Sequence, residues 1–204
     1  LSLYEDGALL TFEVGTTLSY TINANQAGTH VVELVADNGS ETITDTFAYV
    51  VPLSTIVQPL PGGAEAGINY LGDTEVLLAL AAPEKAHVFV IGDFNNWQLD
   101  TDYQLRRTPD GETWWIILEG LTPGQTYGFQ YVVDGEIRIA DPYSPLILDP
   151  WNDPWIPEEV FPNMHPYPTG KTTGIVSLMQ PGAADYPWQV TDFEAPEQEN
   201  IVIY

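Results

Sequence analysis

Two apolar runs that end abruptly in turn residues constrain this chain more than any other feature. His87-Val88-Phe89-Val90-Ile91 runs straight into Gly92-Asp93-Phe94-Asn95-Asn96, and Tyr127-Gly128-Phe129-Gln130-Tyr131-Val132-Val133 runs into Asp134-Gly135. β-Branched and aromatic residues suit a pleated, buried surface, and Gly, Asp and Asn tolerate the backbone of tight turns. Each run therefore predicts a strand closed by a turn, with Trp97 emerging from the first one.

The same signature recurs along the 204 residues, which include 17 glycines and 17 prolines, and no convincing helical period interrupts it. The chain is expected to be all-β, with two immunoglobulin-like sandwiches in tandem and an irregular, Pro- and aromatic-rich C-terminal strap. Residues 1–52 read as a partial immunoglobulin-like unit of about five strands. Leu3-Tyr4 and Leu9 to Phe12 flank the turn Glu5-Asp6-Gly7-Ala8, Leu18 to Ile22 alternates, and His30 to Ala36 and Thr42 to Tyr49 flank Asp37-Asn38-Gly39-Ser40. Residues 53–66, with Pro59, Pro61, Gly62 and Gly63, suit a semi-rigid linker. Residues 67–145 hold the stronger strands, among them Glu75 to Leu80, Ala86 to Ile91, Trp114 to Leu118 and a closing hairpin from Tyr127 to Ala140. Residues 146–204 form the strap, expected to lie over the second unit.

Five Lys and Arg against 29 Asp and Glu give a net charge of -24. Nucleic acid and anionic membrane surfaces would be repelled, whereas a neutral sugar would not. The acidity reads as solubility or adaptation to a salty habitat. With no cysteine there is no disulfide frame and no thiolate metal site. The three histidines, His30, His87 and His165, are scattered, so no metal site or nucleophile–base pair is expected, and no cofactor is called for. No apolar run is long enough to cross a bilayer.

Taken in order, the strand with Gly92-Asp93-Phe94-Asn95 and Trp97, then Asp110-Gly111 and Trp114, Gly120-Leu121 with Gly124, the Tyr127 to Gly135 run, and Asp141-Pro142-Tyr143-Ser144 resemble a known module. It is the immunoglobulin-like, isoamylase N-terminal type that precedes the catalytic barrel in the α-amylase family, similar also to the glycogen-binding module of kinase regulatory subunits. The resemblance covers about residues 69–145. Tyr186-Pro187-Trp188 and Ile201 to Tyr204 further resemble the lead into the first barrel strand. What the resemblance implies is a non-catalytic accessory region, secreted, periplasmic or on the cell surface, that positions a catalytic domain on a starch- or glycogen-type α-glucan. The chain itself lacks the barrel and the carboxylate motifs of glycoside hydrolysis, so no catalytic residue is assigned to it.

In the glycogen-binding relatives, two tryptophans and a lysine form the sugar platform. The resemblance places Trp97 at the first tryptophan, Gln130 at the lysine and Ile137 near the second tryptophan. Trp115 joins these carbohydrate-contact candidates because alternation sends it to the face opposite the core residue Trp114. The two tryptophans have competing structural readings: Trp97 packs its turn against the strap, and Trp115 packs against the strap or a neighbouring unit. Trp151, Trp155 and Trp188 are expected to anchor the strap, or else to line an oligosaccharide groove with Asp149, Asn152 and Asp153. A different class of function stays open, a structural protein whose modules join edge to edge. There, Ile201 to Tyr204 would add a strand to a neighbouring copy and give a homo-oligomer.

Overall fold

The computed structural model describes residues 1–184 together with Asp192, Glu194, Pro196 and Glu197. Among them the regular elements are thirteen strands and three single 3₁₀ turns, and all strand pairings are antiparallel. The expected all-β class is what the chain adopts.

The first unit is one four-stranded sheet built from β1 (Ser2–Glu5), β2 (Ala8–Phe12), β3 (Gly28–Asp37) and β4 (Thr42–Val51), in the order β2-β1-β3-β4. Asp6 and Gly7, at φ 50° and 79°, close the first hairpin with two left-handed residues, the geometry whose twist matches the flanking strands. The ten-residue strands β3 and β4 pair along their full length from Gly28↔Val51 to Asp37↔Thr42. Leu18 to Ile22, expected as a fifth strand, lies outside the sheet. Alternation gave that run an apolar side, but a strand also needs a neighbour for its backbone groups, and none of the described residues pairs with it.

The second unit is a sandwich. One sheet contains β5 (Gly67–Tyr70), β6 (Val76–Ala81), β8 (Arg106–Arg107) and β9 (Thr113–Leu118), in the order β5-β6-β9-β8. The other contains β7 (Val88–Gly92), β10 (Tyr127–Val133), β11 (Ile137–Ile139), β12 (Ile147–Leu148) and β13 (Val176–Met179). β7 runs along one edge of β10, while β11 and β13 share the other edge end to end. The turns at Asp93 and Asp134 therefore sit at opposite ends of one strand pair. Val76, Leu78, Leu80, Trp114, Ile116 and Leu118 face Val88, Val90, Phe129, Tyr131 and Val133 across the core.

Both outer faces are covered as well, and this explains why β6, β7 and β10 read as continuous apolar runs rather than alternating ones. Outside β6 and β9, Leu77, Ala79 and Trp115 pack beneath Leu60 and Ala64 of residues 53–66. That stretch is not a free linker: Gln58 N donates to Arg107 O (2.9 Å), Arg107 N to Ile56 O (2.9 Å), and Leu53 exchanges two bonds with the Gln104 side chain. Outside β7, β10 and β13, a second apolar cluster of Phe89, Ile91, Trp97, Val132, Val176 and Leu178 is roofed by Met164 and Tyr167 of the strap and by Val50 of the first unit. The strap is thus not irregular throughout, since Val176–Met179 enters the sheet as a fully buried strand. Four residues between Gly174 and Pro181 are too few for sequence periodicity to reveal. Trp188 and Ile201 to Tyr204, and the run-in beginning at Tyr186, lie outside the described residues.

Candidate functional site

The turn after β7 is built by close approach. Gly92 is extended (φ -179°), and a Cβ there would stand 2.4 Å from Gly128 O, so only glycine lets β7 and β10 meet at this point. Asn95 ties the turn, its Oδ1 accepting from Gly92 N (2.9 Å) and its Nδ2 donating to Val90 O (3.1 Å). Asn96 and Trp97 are both left-handed, at φ 53° and 63°. Such conformations cost roughly 1–3 kcal/mol each in non-glycine residues unless the surroundings impose them. Here Trp97 N donates to Gly92 O (2.8 Å), and the indole Nε1 donates to Asp93 Oδ1 (2.9 Å). The other oxygen of Asp93 accepts from Gly128 N at 2.7 Å. One carboxylate thus holds both the ring and the strand beneath it.

The strap closes over this assembly. Gln130, wholly buried, donates through Nε2 to Thr173 O (2.9 Å) and Ile175 O (2.7 Å), while its Oε1 accepts from the Thr172 hydroxyl. Arg138 Nη1 donates to Thr172 Oγ1 (3.1 Å), Lys171 Nζ to Asn96 Oδ1 (2.9 Å), and the Tyr167 hydroxyl to Gly174 O (2.8 Å). His165 Nε2 stands 3.4 Å from Asp93 Oδ2. The buried amide is fully employed, so it neither needs nor has room for an external ligand.

The four expected sugar contacts are therefore not brought together on an open face. Trp97 is 4% exposed and Gln130 is 0%, both beneath the strap. Trp115, 1% exposed, lies on the other sheet, its Nε1 donating to Gln58 O (3.1 Å) and the Arg106 guanidinium 5.1 Å from its ring. Ile137 alone is open, at 50%. A buried indole has no free face for a sugar ring to stack on. Asp141, of the Asp-Pro-Tyr-Ser landmark, is likewise structural: it accepts from the Tyr131 hydroxyl (2.9 Å) and from Tyr143 N (2.8 Å), and its own N donates to Ser177 Oγ (2.7 Å). Burial pushes both the Asp141 carboxyl and the Tyr131 phenol up from their ordinary values. Among the described residues no cluster of three acidic or histidine side chains is placed to hold a metal.

The loop after β12 is tied by its own side chains. Asp149 Oδ1 accepts from Trp151 N (2.9 Å) and Asn152 N (3.2 Å), its Oδ2 accepts from Asn152 Nδ2 (2.6 Å), and Asp153 Oδ2 accepts from Asp149 N (2.7 Å). The Asn152 amide, then the Trp151 N–H, hold the Asp149 carboxyl below its usual value. Trp151 and Trp155, expected either to anchor the strap or to line a groove, do not anchor it: they are 64% and 83% exposed. Trp151 borders an open notch whose wall includes Arg138, Ile139, Ser144, Ile147 and Ile175. The aromatic pair was visible in the sequence as Trp151-Asn152-Asp153-Pro154-Trp155; its exposure was not.

Residues 65–151 match the family model for carbohydrate-binding module 48, the isoamylase N-terminal domain. Curated relatives include 1,4-alpha-glucan branching enzymes GlgB. That of Clostridium perfringens is 35% identical over 66 residues, 31% of this chain and 10% of that protein. That of Bacillus subtilis is 35% identical over 65 residues, 31% and 10%. That of Chlamydia trachomatis serovar L2 is 28% identical over 124 residues, 53% and 15%. The chain spans 10% to 15% of the length of these three relatives. Among solved structures, the catalytic module of the multi-modular glycogen-degrading pneumococcal virulence factor SpuA, in complex with an inhibitor, matches 40% of this chain and 13% of its own at 25% identity and a TM-score of 0.32.

Proposed function

We propose that this chain is the non-catalytic accessory region of an α-amylase-family enzyme, and that residues 65–151, with their match to carbohydrate-binding module 48, direct that enzyme to a starch- or glycogen-type α-glucan. The observation that carries the reading is this match, supported by relatives that are named as 1,4-alpha-glucan branching enzymes. The module's role is to position a catalytic domain on its polymer. Burial of Trp97 and Gln130 means that it does so without an open platform at those residues. Native electrophoresis of the chain through gels containing glycogen or soluble cellulose derivatives tests the reading. Retardation by glycogen alone supports it, and equal mobility in all gels overturns it.

A second reading, assembly without sugar, rests on one observation. β4 forms the outer edge of the first sheet, and its Ile43 and Phe47 are 68% and 59% exposed. An open edge with apolar side chains recruits strands. Sedimentation velocity separates the two, since this second reading requires concentration-dependent oligomers.

A further inference from the structure

The loop at 149–155 presents two tryptophans to solvent on a backbone that is already fixed. A packed tryptophan removes roughly 150–250 Å² from water, so two left mainly exposed forgo a large contribution unless something covers them. The hydrogen bonds around Asp149 and Asp153 hold the loop in place before any ligand arrives, so little ordering cost remains to oppose binding. Trp151 stands at the rim of an open notch formed where β11 ends and β12 and β13 begin, with Ile139, Ile147 and Ile175 in its wall and the exposed Arg138 beside them. An aromatic ring over an apolar wall, with a few donors at its side, is the composition of a small-ligand site.

The charge of the chain restricts the ligand. A net charge of -24 repels polyanions, and Arg138 is one of only five cationic side chains. One of its guanidinium N–H groups reaches Thr172, and a guanidinium carries five such donors in all, so others are free to meet hydroxyl oxygens. A neutral polyol with apolar ring faces satisfies both the ring and the donors.

We infer that Trp151, with Arg138 at its side and Trp155 on the same loop, is the contact surface for an α-glucan chain, displaced from the face that the strap covers. The inference rests on the reading of residues 65–151 as a glucan-directed module and assigns that activity a place. Apolar ring faces of glucose stack on the Trp151 indole, and hydroxyls accept from Arg138.

Calorimetric titration of the 204-residue chain with maltoheptaose tests it, comparing the wild type with Trp151→Ala, Trp155→Ala and Arg138→Met and checking each fold by circular dichroism. The expected result is that Trp151→Ala weakens binding by about tenfold or more, as truncation of a central aromatic contact does, and that Trp151→Tyr restores part of it. Wild-type binding that Trp151→Ala leaves unchanged overturns the site while the glucan reading stands. No binding at millimolar maltoheptaose overturns both. Failure to bind sugar together with self-association that Trp151→Ala abolishes makes the loop a protein-docking surface, and also overturns the inference.

Discussion

The indole of Trp97 and the backbone of Gly128 lie so close that a Cβ on residue 128 would come within 3.1 Å of the ring's Cζ2. Asp93 bonds to both, through one oxygen each. The residue that would be expected to offer a face to sugar is therefore part of the packing that holds the Asp93 turn onto β10.

Gly128→Ala tests that packing. The added methyl would also stand 3.1 Å from Val176 Cγ1 and 3.3 Å from Asp93 Oδ2, and neither neighbour is free to withdraw. Overpacking of this kind costs about 1–3 kcal/mol, which urea unfolding will show as a lower midpoint at unchanged slope.

Gln130→Lys tests the closure of the strap. A lysine at this fully buried position has no carboxylate partner among the residues that hold the glutamine and, being a donor only, removes the acceptor that Gln130 Oε1 gives the Thr172 hydroxyl. Burying an uncompensated charge costs about 3–5 kcal/mol, more than the strap's contacts are expected to repay, so the strap should lift. Limited proteolysis will then cut between residues 160 and 175 far faster than in the wild type; equal resistance would contradict the account.

His30 supplies a pH dependence. Its Nδ1 lies 2.7 Å from Asp6 Oδ2, and this bond, followed by one to Gln26 O, raises the imidazole above its ordinary value of about 6.5. A raised folded value favours the protonated form in the folded state, so the stabilisation is complete below about pH 6.5 and lost as pH rises through the folded value. The stability difference between wild type and His30→Gln, measured from pH 5 to 9, should shrink across that window. Asp6 behaves oppositely: the Val31 N–H and then His30 hold its carboxyl low, so its contribution is lost on acidification.

Asp141→Asn tests the buried landmark. Burial raises the Asp141 carboxyl, which means that ionisation is disfavoured in the folded chain and that the wild type loses stability as pH climbs from about 3.8 through the folded value. The amide carries no such cost: its Oδ1 still accepts from Tyr143 N, while its Nδ2 donates to the Tyr131 hydroxyl oxygen in place of accepting from it. Thermal melts of the variant relative to the wild type should improve steadily over that range.

Much of this fold was legible in short stretches. Asp6-Gly7 and Asp134-Gly135 announced hairpins that formed, and the adjacent Trp114 and Trp115 divided between opposite faces as alternation requires. Leu18 to Ile22 shows the limit of such reasoning, because a pattern states which side is apolar but not whether a partner strand exists. β13 and the cover over Gln130 were illegible for a related reason: Gly128 pairs with Leu178, and Gln130 bonds to Thr173, across more than forty residues. A glutamine in an apolar run reads equally as a ligand contact or a satisfied buried amide until its partners are placed. Sequence showed six tryptophans; only packing separated the buried Trp97, Trp114 and Trp115 from the exposed Trp151 and Trp155.

The indole N–H resonances of the chain report most directly on its central claim, a glucan-directed module whose Trp97 face is closed. With signals assigned through Trp→Phe variants, Trp97, Trp114 and Trp115, bonded to Asp93, Ala82 and Gln58, should exchange slowly with solvent, and Trp151 and Trp155 rapidly. On addition of maltoheptaose, the Trp151 resonance should move while that of Trp97 stays in place. A shift confined to Trp97, with Trp151 unaffected, would contradict the account.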